Sequence, residues 1–153
     1  MIDGIHYQTA YVTSDVDDAY AAFAAGVDAR HPMHYEGTVE VVTNRGPSMS
    51  TNKLALAWVG DLQYEFIQPV VDPTGIFADA LATERRAEFH HLAFRVADWE
   101  AFRAKVANYP YPVMMERDSG DLKFVYLDAR ATLGHCLEYV WMTDAMWTRT
   151  GGR

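Results

Sequence analysis

Four polar residues stand at matching places in two similar stretches of this chain. Gln8 opens Gln8-Thr-Ala-Tyr-Val-Thr-Ser-Asp15. His91 opens His91-Leu-Ala-Phe-Arg-Val-Ala-Asp98, which repeats the apolar alternation and the closing Asp. Further along, Glu65 lies in Tyr64-Glu-Phe-Ile67 and Glu138 in Leu137-Glu-Tyr-Val140. Side chains alternate faces along a strand. If the two stretches are halves of one curved sheet, an amide, an imidazole and two carboxylates therefore meet on its concave side. Ionised groups inside apolar runs need partners, and such a donor set suits one divalent ion: Zn²⁺, Ni²⁺, Co²⁺ or Mn²⁺. Positions left for water or substrate would make the site catalytic rather than structural.

Other candidates compete or assist. His6 is two residues before Gln8 and on the same face by alternation, so it is an alternative first ligand. His90 faces away from His91 on the same rule and is assigned to packing or hydrogen bonding. His31, His34 and His135 fall at loops or strand edges, where surface placement is the default and His34 is a candidate substrate contact. Cys136 shares the face of Glu138 and reads as a small buried thiol rather than a nucleophile. Trp58 and Tyr126, on the ligand face, would line an apolar or aromatic pocket.

The elements that must position these groups repeat as well. Each half reads as strand, helix and three strands, an α+β fold of two βαβββ modules forming a cupped mixed sheet with helices outside. The first module is assigned to residues 1–72, a connecting helix to 73–88 and the second module to 89–147. Helices are expected over Val16–Ala25, with Ser14 and Asp17 as a capping box, and over Trp99–Asn108, with Asp98 as N-cap and Pro110 and Pro112 as the stop. Thr38–Thr43, Leu54–Val59, Val113–Arg117 and Lys123–Leu127 supply the inner strands. Gln8 and His91 are 83 positions apart but Glu65 and Glu138 only 73. The first half thus carries extra residues, placed in a loop at Asn44–Ser48. The polar tail after Trp147 is expected to fray.

Composition narrows the function. Half of the 153 residues are apolar, enough for one compact core. A net charge of −8 without a basic cluster argues against a nucleic-acid partner. No apolar run reaches the ~20 residues of a membrane span, and no signal peptide is evident at the N-terminus. The single cysteine fits a reducing, cytoplasmic setting.

The ordered set Gln8 to Asp15, Tyr64-Glu-Phe-Ile-Gln-Pro69, Gly75-Ile-Phe-Ala-Asp-Ala-Leu81, His90-His-Leu-Ala-Phe-Arg-Val96 and Gly134-His-Cys-Leu-Glu-Tyr139 resembles the vicinal-oxygen-chelate superfamily, in its glyoxalase I and methylmalonyl-CoA epimerase branch. The resemblance covers nearly the whole chain. It implies the glyoxalase/bleomycin-resistance/dioxygenase fold, a homodimer, and a metal held by Gln8, Glu65, His91 and Glu138. Two departures stand out: Gln8 occupies a place often held by His, and Arg86-Ala-Glu-Phe89 precedes the His pair where many relatives have glycines. The implied activity is that of a metal-dependent isomerase, epimerase or lyase. It would move a proton at a carbon next to a carbonyl of a small, apolar or aromatic substrate, the metal stabilising an enolate and Glu138 and Glu65 serving as acid and base. Two alternatives stay open. One is a ring-cleaving Fe(II) dioxygenase, which favours two His and one carboxylate. The other is a metal-free binding protein of the same fold.

Overall fold

The computed structural model describes residues 3–153. The first half runs β1 (Ile5–Val12), α1 (Val16–Ala24), β2 (Arg30–Thr43), β3 (Gly46–Val59) and β4 (Leu62–Val71). A short connector helix, α2 (Ala78–Leu81), leads to β5 (Glu88–Arg95), α3 (Trp99–Val106), β6 (Val113–Asp118), β7 (Leu122–Leu127), α4 (Arg130–Leu133), β8 (Cys136–Met142) and α5 (Asp144–Arg149). The eight strands close into a barrel in the order β1-β4-β3-β2-β6-β7-β8-β5. The expected cupped mixed sheet is therefore present, with its rim joined. β1 runs parallel to β4 and β5 parallel to β8, while the two halves meet through antiparallel pairs β1–β5 and β2–β6.

Local chemistry explains most of the boundaries. Helix α1 starts at Asp15, not at the expected Ser14 box: the Asp15 carboxylate accepts from Asp18 N and satisfies an orphan amide. Asp98 caps α3 by accepting from Ala101 N, as its sequence suggests. The residues expected to form a loop at Asn44–Ser48 instead extend a hairpin. Both β2 and β3 are 14 residues long, and only Asn44 and Arg45 lie between them. Gly46 closes that turn at φ +100°, a conformation that favours glycine. The surplus length of the first half thus lies in strands, because alternation in Val39–Val41 and Met49–Leu54 continues through polar, half-exposed positions that composition alone reads as loop.

Helix α3 packs Trp99, Phe102 and Val106 on the outer face of the second half, against Phe94, Val125, Leu137 and Tyr139. Helix α1 packs Val16 and Ala19 on Ala55 and Phe66 of the first. The C-terminal tail does not fray as expected. Thr143 caps α5, and the Thr150 carbonyl accepts from Trp58 Nε1 at 2.6 Å and Gln63 Nε2 at 3.2 Å. The Gly151 carbonyl takes Arg30 Nη1 and the Arg149 carbonyl takes the His31 ring. The segment after β8 thereby stoppers one end of the barrel. No described helix is long and apolar enough to cross a membrane.

Candidate active site

The interior of the barrel holds a cavity of about 170 Å³. Gln8, Glu65 and Glu138 line it, among apolar neighbours that include Ile67, Phe77, Met115 and Phe124. His91 is completely buried just behind, its Nε2 3.2 Å from Glu138 Oε2 and 3.9 Å from Glu65 Oε2. The register makes the convergence necessary: Gln8 lies opposite Ala93 and Gln63, Ala10 opposite both Glu65 and His91, and Glu138 opposite Ala93 and Tyr126. The small side chains of Ala10 and Ala93 leave the room that the four polar groups occupy.

Two β-bulges shape the site and were not legible in the sequence. On β1 the pairing jumps between His6 and Gln8, so Tyr7 is the extra residue. The jump takes His6 out of alternation with Gln8. His6 is exposed, its ring hydrogen-bonds the Gln8 carbonyl, and it does not reach the cavity, so it is not an alternative ligand. On β5 the pairing skips His90. His90 therefore does not point away from its neighbour as alternation required: it lies beside His91, with the two Nδ1 atoms 2.9 Å apart and His90 Nε2 3.0 Å from the Ile76 carbonyl.

This contact settles the protonation pattern. Burial pushes both imidazoles down to about 3, so each is neutral and carries one N–H. A carbonyl oxygen only accepts, so His90 gives its proton to Ile76 and presents a bare Nδ1. His91 then donates from Nδ1, and its Nε2 is a lone pair aimed at the carboxylates, with no hydrogen-bond partner. Burial also raises both glutamates well above the carboxylate range, Glu65 further raised by Glu138 and Glu138 partly lowered by the Tyr126 hydroxyl. A lone pair and a carboxylate cannot face each other at 3.2 Å without a cation or a proton between them.

Gln8 is held by a similar relay. Its Nε2 donates to Gln63 Oε1 at 2.8 Å, and Gln63 donates onward to the Thr150 carbonyl. Gln63 shares the face of Glu65 two positions on, which is the signal by which it could have been found. Of the remaining candidates, Tyr126 lines the cavity and stands edge-on to His91 at 5.0 Å between ring centroids. Burial raises the Cys136 thiol to about 11, as expected of a thiol that is not a nucleophile. Trp58 was expected on the pocket wall, but its ring packs with Tyr7 and Trp147 at the stoppered end and its N–H is taken by Thr150. His34 lies in β2, not in a loop, and packs edge-on against Tyr20 outside the barrel, away from any substrate in the cavity. His31 also lies in β2, at φ +53°.

The family model of the glyoxalase/bleomycin resistance protein/dioxygenase superfamily matches residues 7–126. No curated protein sequence matches the chain. Among solved structures, methylmalonyl-CoA epimerase from Mycobacterium tuberculosis aligns at TM-score 0.62 and 16% identity, covering 97% of each chain. A Streptomyces coelicolor methylmalonyl-CoA epimerase in complex with 2-nitronate-propionyl-CoA aligns at 0.62 and 16%, covering 93% of this chain and 97% of the other. A hypothetical protein of Bacillus halodurans C-125 aligns at 0.62 and 13%, covering 94% and 97%. At these identities the likeness is one of fold. The barrel, its two βαβββ halves and the match to the family model agree that this chain belongs to the glyoxalase/bleomycin resistance protein/dioxygenase superfamily.

Proposed function

We propose that the protein is an isomerase or epimerase that moves a proton at a carbon next to a carbonyl, with Glu65 and Glu138 as the acid–base pair. The observation that carries this reading is the pair of buried carboxylates converging on one imidazole lone pair in an apolar cavity. Burial raises both carboxyls, and the charge of Glu138 raises Glu65 further, so the pair holds on to protons at neutral pH. A member that gives up its proton is a base beside a carboxylic acid, and these are the two partners that removal and return of an α-proton require. The apolar walls exclude water from the carbon that loses its proton. Tyr126, whose phenol burial holds firmly protonated, stays a hydrogen-bond donor beside Glu138.

The donor set fits a divalent ion: the orphan Nε2 of His91, the two carboxylates, and the Gln8 amide oxygen left free when its nitrogen binds Gln63. Among the described residues no three His, Cys, Asp or Glu side chains form a ready-made cage, so the carboxylates would have to swing inward around the ion. When bound, such an ion supplies Lewis acidity toward a substrate oxygen. His90 positions the ring of His91, and Gln8 adds a neutral donor that leaves the charge of the site to the glutamates. Because His6 faces outward, the cavity presents one imidazole, which favours proton transfer over the two-His pattern of Fe(II) oxygenases. The epimerases of like fold and the size of the cavity support a small acyl group as the reacting part of the substrate.

The test is to incubate the protein, with Co²⁺, Ni²⁺, Mn²⁺ or Zn²⁺, with thioesters, ketones and hydroxyketones in heavy water and follow the α-position by NMR. Metal-dependent deuterium uptake is the expected result. Oxygen consumption on catechols with Fe(II), or tight binding of an aromatic compound with no exchange, would overturn it.

A further inference from the structure

Which end of the Gln8 amide faces the cavity is decided 55 residues away, by Gln63. A glutamine amide is ambidextrous: turned one way it offers an oxygen, turned the other an N–H pair, and the two have nearly the same shape. At this position the difference matters, because only the oxygen can serve a cation. The relay removes the ambiguity. The Thr150 carbonyl already accepts from Trp58 Nε1 at 2.6 Å and can only accept again. Gln63, itself 2% exposed, must therefore present Nε2 to it, which turns Gln63 Oε1 toward Gln8. Gln8, 4% exposed, must in turn present its own Nε2, and its oxygen is left free. The logic repeats that of Ile76, His90 and His91, where a carbonyl at the far end of a two-member relay frees one lone pair in the cavity.

We propose that Gln63 is a positioning residue: anchored by the Thr150 carbonyl, it orients Gln8 so that the amide oxygen is turned toward the metal-binding position. The inference rests on Gln8 acting as a ligand, as argued above. It gives the C-terminal segment a role in the site, since the last strand and α5 deliver the carbonyl that sets the relay. Gln63 lines the same cavity as Gln8, and the role assigned to it is exerted through the Gln8 amide.

The test is a double-mutant cycle on metal affinity in the full-length protein, with Gln8→Met, Gln63→Met and the double variant, each keeping the length of the side chain it replaces. Co²⁺ is the probe, read by its visible bands and by chelator competition, and thermal melting of each variant reports the purely structural effect. Gln63→Met is expected to weaken Co²⁺ binding by ~10–100-fold, the usual size of a loss one shell out. It should add little in the Gln8→Met background, because the two act through one atom. Equal weakening in both backgrounds would overturn the relay.

Side-chain amide NMR of the metal-free protein separates this outcome from failure of the ligand assignment. Gln63→Met should lose the slow exchange of the Gln8 Nε2 protons. If Gln8→Met binds Co²⁺ as tightly as the parent, Gln8 is not a ligand, and the relay then stands or falls on that exchange alone: unchanged protection in Gln63→Met would refute it.

Discussion

The Nδ1 atoms of His90 and His91 are 2.9 Å apart, although neighbours in a regular strand point to opposite faces. The bulge at His90 makes the contact possible, and the contact fixes the tautomer of the buried ring. His90→Phe removes the acceptor for the His91 Nδ1–H while keeping an aromatic ring against Phe77. Metal affinity should fall by ~10–100-fold with the fold retained. Chelator competition measures it, and an unchanged affinity would mean that His91 needs no such partner.

Glu138→Gln replaces a proton-transferring group by one that cannot exchange the α-proton. Turnover should drop by ~10²–10⁴-fold, the usual contribution of a general base. Deuterium exchange into substrate is the readout, with metal content measured on the same sample. Loss of exchange only in proportion to loss of metal would assign Glu138 to ligation alone.

Metal uptake should be coupled to proton release. The pair of carboxylates retains a proton at neutral pH and a bound ion requires both ionised. Calorimetry of Zn²⁺ binding in buffers of differing ionisation enthalpy should show protons leaving at pH 7, and fewer as the pH rises past the elevated carboxylate range. Release that does not change with pH would contradict the raised affinity of the pair for its proton.

The stability of the protein stripped of metal by a chelator should peak in mildly acidic solution. The glutamates have folded values raised above their ordinary 4.5, so their contribution is complete below 4.5 and is lost as pH rises through the elevated range. The histidines have folded values lowered from 6.5 to about 3, so theirs is complete above 6.5 and is lost as pH falls toward 3. Between about 4.5 and 6.5 the two trends oppose each other. Urea midpoints across pH should therefore decline on both sides, and a stability still rising above pH 7 would count against buried protonated carboxylates.

Phe102→Ala should destabilise the fold by about 3–5 kcal/mol, since the ring is 2% exposed and stacked on Tyr139 at 4.6 Å. Chemical denaturation measures it. A loss under about 1 kcal/mol would mean that α3 is not anchored there.

The repeat made much of this architecture readable. Matching strands carried Gln8, His91, Glu65 and Glu138 to one interior because period-two alternation and a duplicated order of elements survive in the residues themselves. What escaped were departures from that period. The bulges at Tyr7 and His90 insert one residue each, and nothing in the residue types marks them. They changed where His6 and His90 point: the alternative first ligand faces solvent, and His90, assigned to packing or hydrogen bonding on the far face, makes its hydrogen bond to the buried ring of His91 instead. The hairpin of two 14-residue strands is legible only as two short strands and a loop, because its outer half alternates with polar residues. The tail looked disposable because its interactions run through main-chain carbonyls, which have no sequence signature.

The two seams that close the barrel are unequal. Between β1 and β5 seven residue pairs are in register; between β2 and β6 there are two, Val42–Glu116 and Thr43–Met115. A ring with one long and one short seam has fewer ladder hydrogen bonds holding it at the short side. Gln8 and His91 ride on the strands of the long seam, and Glu65 and Glu138 on the strands next to them. The weaker seam thus lies across the ring from the strands that carry the four polar groups, so the site is built where the closure of the barrel is most extensively hydrogen-bonded.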